Sequence, residues 1–270
     1  MAQTLRPLTI GELLDRTFFY YRRHFVLFVG IAALPAVLLL AFQLITVLLL
    51  TAESGLLLSV MFSLTWIFVY LVTSTLAHGA TVVAVSQVLL GRETQVAEAF
   101  NSIRPRVGEL IIISLNVGVR VLIGLLLFVV PGILLALRYS LTIPAAVLEE
   151  TGISDSLSRS ATLTKGHYGR ILLVYFLLLV LVMIGSMLWP FLTMIVAAIV
   201  SPAVRVGQTP VWVQIALQFG NFLSQSLLGP IMTIALTLVY YDERVRKEAF
   251  DLEHMMRQLD RSVLPAPHPA

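Results

Sequence analysis

Long apolar runs, interrupted at a few short polar points, dominate this chain. From 25 to 90 there is one acid (Glu53), one histidine (His78) and no Lys or Arg. A helix crosses the hydrocarbon core of a bilayer in about 20 residues. This stretch therefore predicts two spans, 25–50 and 56–78, joined by the polar turn Thr51-Ala52-Glu53-Ser54-Gly55. Two more are expected at 108–130 and 133–148, with Pro131-Gly132 as the break. The last two, 171–199 and 211–241, flank the loop Ser201–Pro210, which carries Arg205. Leu56–Leu90 would make roughly 52 Å of helix at about 1.5 Å per residue, too long for one crossing. Either this helix tilts strongly or its end after His78 continues into the headgroup layer. Gly229-Pro230 should kink the last span.

The polar segments also carry helical patterns. In Thr9–Phe25, apolar residues recur at Ile10, Leu13, Leu14, Phe18, Tyr21 and Phe25, the spacing of one helical face. Thr9 and Glu12 fit a capping box. The expectation is an interfacial helix over 9–23, lying in the headgroup layer. A second segment places Val96, Phe100 and Ile103 on one face before Pro105, and a third places Ile153, Leu157 and Ala161 before Gly166. Each is followed by a base (Arg23, Arg106, Arg170) and then by a predicted hairpin. The reading is an all-α polytopic membrane bundle of six transmembrane helices. It is arranged as three hairpins, each preceded by an interfacial amphipathic helix, within one domain over 1–261. Val245, Ala249, Leu252, Met256 and Leu259 extend a helical stripe over 242–261, and a Pro-rich tail over 262–270 is expected to be disordered.

Charge sharpens this picture. Of 18 Lys and Arg residues, 15 fall in four short segments: 1–24, 91–108, 149–170 and the tail from 242. Short basic segments mark the cytoplasmic side of a membrane protein, and all four fall on one side, so both termini are expected in the cytoplasm. Hydrophobic residues make up 58% and charged residues 12%, against about 45–50% and about 25% in soluble domains, so lipid must be the solvent. The net charge of +3 collars apolar spans instead of forming one basic stripe, which favours anionic lipid headgroups over nucleic acid as partners. Glu12 and Asp15 interrupt any basic n-region, and no cleaved leader is expected. There is no cysteine, hence no thiol or cysteine metal chemistry.

Candidate chemistry is sparse. No His pairs with another His, Asp or Glu at metal-ligand spacing inside a span, and neither a Walker-type loop nor a nucleophile elbow occurs. No catalytic residue, metal or cofactor is assigned. Ionisable groups inside a bilayer are costly and invite a functional hypothesis; these are Arg120 and Arg138. Asn116, Arg120 and Gly124 share one face of the third span. Gln214, Gln218, Asn221 and Gln225 stripe the sixth, with Ser224 beside them, and Ser63, Tyr70, Ser74 and His78 stripe the second. One reading joins Arg120, Asn116, Arg138, Asn221, Gln225 and His78 in an intramembrane anion site between spans two, three and six. The other reads the amides and hydroxyls as interhelical polar glue, with each Arg snorkelling or bonding a backbone carbonyl. Arg138, six residues past Gly132, is placed near the outer surface, and Arg120 near mid-span. Glu149-Glu150 either faces Arg159 or Lys165 across the interface or, the favoured reading, forms a solvated charge patch.

The opening LTIGELLDRTFFYYRRHF, the middle PGILLALRYSLTIPAAVLEETGISDSLSRSATLTKGHYGR and the ending YYDERVRKEAFDLEHMM resemble a family of six-span bacterial membrane proteins. Its best-known members carry this region as the membrane domain of glycerophosphoryl diester phosphodiesterase. The resemblance implies a bacterial cytoplasmic membrane protein. The catalytic domain of that enzyme is a barrel of about 250 residues in the TIM class. It has no counterpart in the residues after Tyr241, and its His-Arg-Gly signature is absent, so the phosphodiesterase activity is not carried over. The expected function is a non-catalytic membrane domain that organises lipid or partner proteins. The alternative is a small transporter or channel for an anionic or amphipathic solute.

Overall fold

A computed structural model describes residues 7–49, 55–201, 204 and 209–263, with side chains described as far as Glu248. Among the described residues ten α-helices follow one another: α1 Ile10–Arg23, α2 Phe25–Leu49, α3 Leu56–Leu89, α4 Val96–Ile103, α5 Val107–Leu127, α6 Val129–Arg138, α7 Thr142–Leu148, α8 Ile153–Thr164, α9 Tyr168–Val200 and α10 Val211–Val263. A 3₁₀ turn, Arg104–Arg106, joins α4 to α5, and no strand occurs among the described residues. Among the described residues six helical stretches are long and apolar enough to cross a membrane: Phe25–Leu49, Leu56–Leu89, Val96–Leu127, Val129–Leu148, Tyr168–Val200 and Val211–Glu248. The turns predicted at Thr51–Ser54 and around Arg205, and the tail from 264, lie outside the described residues.

Local chemistry explains the helix ends. The Thr9 hydroxyl accepts from the Glu12 N–H at 3.2 Å, and the Glu12 carboxylate accepts from the Thr9 N–H at 2.9 Å, a capping box that satisfies two orphan amides. Gln95 and Glu98 repeat it at α4. The break between the third and fourth spans is at Phe128, which is extended (φ −162°, ψ 155°), not at Pro131-Gly132. Proline needs no N–H in the first turn of a helix, so Pro131 starts α6 instead of ending α5. Gly132 is then the point where α5 and α6 touch.

The fourth span has a second interruption that hydropathy did not predict. Helix stops at Arg138 and resumes at Thr142. The freed backbone groups are satisfied by α8: the Ser160 hydroxyl donates to the Arg138 carbonyl at 2.8 Å and accepts from the Leu141 N–H at 3.2 Å. Non-helical backbone is tolerated at such a place only where protein covers it. The face of α8 that turns inward is accordingly Ser156, Leu157, Ser160, Leu163 and Thr164, in place of the apolar face through Ile153 and Ala161.

The amphipathic face of α1 is likewise occupied by protein. Leu13, Thr17, Tyr20 and Tyr21 are buried, and α1 packs chiefly on α10. At one end the Leu8 N–H donates to Asp242, and at the other the Tyr21 hydroxyl donates to the Leu227 carbonyl at 2.6 Å. Helix α1 thus lies lengthwise and antiparallel along α10, its end reaching the turn that precedes Pro230, where backbone carbonyls need outside donors. The apolar face expected to meet a headgroup layer is thus covered by α10.

Helix α10 organises the bundle, packing on α2 and α9 most extensively and on α1 and α3 beside them. Burial is uneven along the helices. Ala80, Val82, Ala84 and Val85 of α3 are at most 1% exposed, so the end of this long helix is its most tightly packed part. Leu56, Leu57, Leu64 and Phe68 at its start are exposed, as are Leu126 and Val129 at the α5–α6 turn and Leu188, Phe191 and Ile199 of α9. The end of the bundle that carries the basic segments is a packed core. The far end presents apolar side chains outward, as lipid-facing helices do. There, Trp189 of α9 lies on Gly220 of α10 and donates to the Ala216 carbonyl at 2.8 Å.

A Cβ at Gly132 would lie 2.4 Å from the Leu125 side chain and 2.8 Å from its backbone nitrogen. Overpacking of this kind costs about 1–3 kcal/mol. Gly132→Ala should therefore lower the thermal unfolding midpoint of the detergent-purified protein. An unchanged midpoint would show that α5 and α6 do not meet here.

Candidate functional site

The basic end is held by two adjacent acids whose side chains are 0% exposed, Asp242 and Glu243 of α10. A buried carboxylate is unfavourable unless it is paired and hydrogen-bonded. Arg170, at the start of α9, reaches both: Nη1 donates to Asp242 and, at 2.9 Å, to Glu243. Arg246 Nε donates to Asp242 at 2.8 Å, and His167 Nδ1 faces the second oxygen of Glu243. The backbone of Leu8, just ahead of α1, completes the cluster. Its N–H donates to Asp242 Oδ1 at 2.6 Å, and its carbonyl accepts from Arg170 Nη2 at 2.8 Å and Arg246 Nη2 at 2.6 Å. The planar guanidinium fork, with donors aimed in several directions, suits this arrangement as an ammonium would not.

A second ring of charges surrounds the first. Glu149, after α7, accepts from the Tyr240 hydroxyl and from Arg159 Nε at 2.8 Å. Arg159 also pairs with Glu248, which Arg244 holds at 2.7 Å. Burial alone would lower the Arg159 pKa, but the hydrogen bonds to Glu149 and Glu248 outweigh it and hold the pKa above its ordinary value. Lys247 donates to the Thr162 and Lys165 carbonyls at the end of α8, where a cation is favoured. Glu149 is therefore part of an ion-pair network, not a solvated patch.

Above this base, where the packed half meets the open half, two cavities flank α3. One of about 280 Å³ lies between α2, α3, α9 and α10, and the other, of about 380 Å³, among α3, α5, α6, α7, α9 and α10. Tyr70, Ser74, His78 and Thr233 line both. His78 is exposed to both cavities, and its ring makes no hydrogen bond among the described residues. Gln225 joins it in the first cavity.

The arginines within the spans form a different group. Arg120 Nε donates to Asn116 Oδ1 at 2.7 Å, and Arg120 Nη1 donates to the Tyr139 hydroxyl at 3.0 Å. The Arg120 and Arg138 guanidinium carbons lie 5.4 Å and 5.7 Å from the Tyr139 ring centroid, within cation–π range. Both arginines are exposed, and neither has a carboxylate partner among the described residues. Arg138 ends α6 beside Arg120. It is not near the far-end turn, because that turn is at Phe128 and all of α6 intervenes.

The six residues grouped from the sequence are thus placed in three settings. Asn116, Arg120 and Arg138 meet at Tyr139. His78 and Gln225 share a cavity. Asn221 stands apart, donating to Gln218 at 3.3 Å, as interhelical or local polar glue would. Tyr139 was missed, although it links the arginine group to the 380 Å³ cavity that it also lines. The Asp242–Glu243 cluster was missed as well; two acids directly after an apolar span were its only local signal. Among the described residues, no group of three or more His, Asp or Glu side chains is placed to hold a metal ion.

Six membrane-length apolar helices around a charge-paired base define a polytopic membrane protein. The chain belongs to the family described as the membrane domain of glycerophosphoryl diester phosphodiesterase, whose model matches residues 112–263. The match takes in the arginine group, the second ring of charges and most of the base, but not Leu8, α1 or His78. A UPF0259 membrane protein of Pectobacterium carotovorum subsp. carotovorum (strain PC1) is 29% identical over 100 residues, 37% of this chain and 40% of that protein. The chain so matched spans well under two thirds of that relative's length. No solved structure matches the chain.

Replacing Arg170 by Met leaves Asp242 and Glu243 buried with their main partner gone, a loss worth about 3–5 kcal/mol when one member of a buried pair is removed. Its unfolding midpoint should collapse, whereas Arg244→Gln, at a half-exposed pair, should cost no more than about 1 kcal/mol. Equal melting curves for the two variants would contradict the ranking.

Proposed function

We propose that this chain is a non-catalytic protein of the bacterial cytoplasmic membrane that takes the anionic head of a membrane-soluble amphiphile at the Arg120–Tyr139–Arg138 group. The carrying observation is a pair of exposed arginines on one tyrosine ring, without a carboxylate partner among the described residues, inside membrane-length helices. Charges there are expensive, and an anionic ligand would offset that cost. Tyr139 also lines the 380 Å³ cavity, whose apolar walls suit the tail of such a molecule. In this role the protein organises lipid, and its ion-paired base keeps the cavities closed at the basic end.

A second reading, passage of the same class of solute, is favoured by one observation. The closing base is made of ion pairs, which can exchange partners, and His78 stands between two cavities immediately above it. Flux assays separate the two. Retention of an anionic lipid by the purified protein, reduced about fivefold or more by Arg120→Gln at unchanged stability, supports binding. Solute uptake into proteoliposomes that this variant abolishes would favour transport. Retention and flux both unaffected by the substitution would leave the arginine group a structural one.

The basic segments support a cytoplasmic position for the base and for both chain ends. Reporters fused at Ser54 and Gln208 should then read the exterior. A cytoplasmic signal at either would overturn this orientation.

A further inference from the structure

A separate groove of about 900 Å³ lies at the basic end, where the α1–α2 corner faces the connection from α3 to α4. The corner is made by His24, the residue between α1 and α2 (φ −118°, ψ 37°). Opposite it, α3 ends at Gly91, whose φ of +71° suits a residue without a side chain. The Gly91 N–H donates to Val88 at 3.1 Å and the Arg92 N–H to Gln87 at 3.0 Å, the paired bonds of a Schellman turn. That turn sends Arg92 and Glu93 out along the groove.

The groove carries both signs of charge above an apolar wall. Arg23 and Arg92 are its fixed cations, and Glu93 and Glu98 its carboxylates. Glu98 is engaged, accepting from the Gln95 N–H at 3.1 Å. Arg23 is positioned by Phe19, its guanidinium carbon 5.8 Å from the ring centroid. Arg23, Arg92 and Glu93 are all exposed and form no ion pair among the described residues. Burial, with Arg23 beside it, holds the His24 pKa below its ordinary value, so its imidazole is a neutral donor, not a third fixed charge. Phe19, Leu27 and Leu89 supply the apolar wall.

We propose that this groove binds a zwitterionic phospholipid headgroup bearing a primary ammonium. The phosphate sits between Arg23 and Arg92, the ammonium donates to Glu93, and the upper acyl chains lie on Phe19, Leu27 and Leu89. The balance of charges decides the class. A purely anionic headgroup would leave Glu93 opposed by a like charge, and a quaternary ammonium has no N–H with which to satisfy its carboxylate. This site is distinct from the arginine group at Tyr139 and stands or falls without it.

The test uses the full chain in nanodiscs of equal parts phosphatidylethanolamine, phosphatidylglycerol and phosphatidylcholine, with retained lipids counted by native mass spectrometry. Phosphatidylethanolamine should be retained over phosphatidylcholine by the wild type, and over both others by Arg120→Gln, in which the arginine group no longer takes an anionic head. Glu93→Gln should remove that preference, about a fivefold change for one surface charge. Arg92→Gln should weaken retention of all three phosphates, while Arg104→Gln, an exposed base off the groove, should change nothing. Wild-type protein that retains phosphatidylcholine as well as phosphatidylethanolamine overturns the proposal, as does Arg120→Gln protein that still retains phosphatidylglycerol as well, or a preference that survives Glu93→Gln. The wild-type comparison decides the question even if a variant does not fold.

Discussion

Two carboxylates buried side by side where the apolar stretch of α10 ends constrain everything around them. Asp242 and Glu243 must be paired inside the protein, because neither reaches solvent and an uncompensated buried charge is strongly unfavourable. Arg170 meets both and also holds the Leu8 carbonyl. One side chain therefore ties the start of α9, the middle of α10 and the segment before α1 to a single point. Once Leu8 is held there, α1 has to run back along α10, and Tyr21 arrives at the Leu227 carbonyl. The second ring, through Glu149, Arg159 and Glu248, draws α7 and α8 to the same place.

This convergence gives the bundle two unlike halves. The charged half is dense, with small residues of α3 such as Gly79, Ala80 and Ala84 letting helices approach closely. The other half is joined by fewer contacts between helices, and its exposed leucines and phenylalanines require lipid around them. The cavities beside His78 lie at the transition, where helices held together at one end begin to diverge. The arginine group at Tyr139 sits against the same transition, at the interruption that α8 covers. The site's position is a consequence of how the base closes.

How much of this could be read along the chain differs from residue to residue. The break at Phe128 was displaced to Pro131-Gly132 because proline is both a helix stop and a helix start, and local composition does not say which. The interruption after Arg138 left no hydropathy signal, since Ser160 supplies its hydrogen bonds from another helix. Arg120, Asn116 and Arg138 could be nominated as out of place in a span, but their meeting point, Tyr139, looks like any aromatic residue. Glu149 looked like a surface acid because its partners, Tyr240 and Arg159, are on other elements.

Local sequence by itself determined the class, the six apolar stretches and the N-terminal cap of α1, because each depends on residues close together in the chain. The length of a membrane crossing and the energetic cost of charge in lipid leave few other solutions for such a composition. Only the tertiary structure decided what the polar residues are for. Leu8 and Asp242 are 234 positions apart, and Arg159 and Tyr240 find Glu149 from separate helices. Pairing of buried charge depends on three-dimensional proximity. The periodicity that predicts a helix carries no record of which distant partner its charged residues will meet.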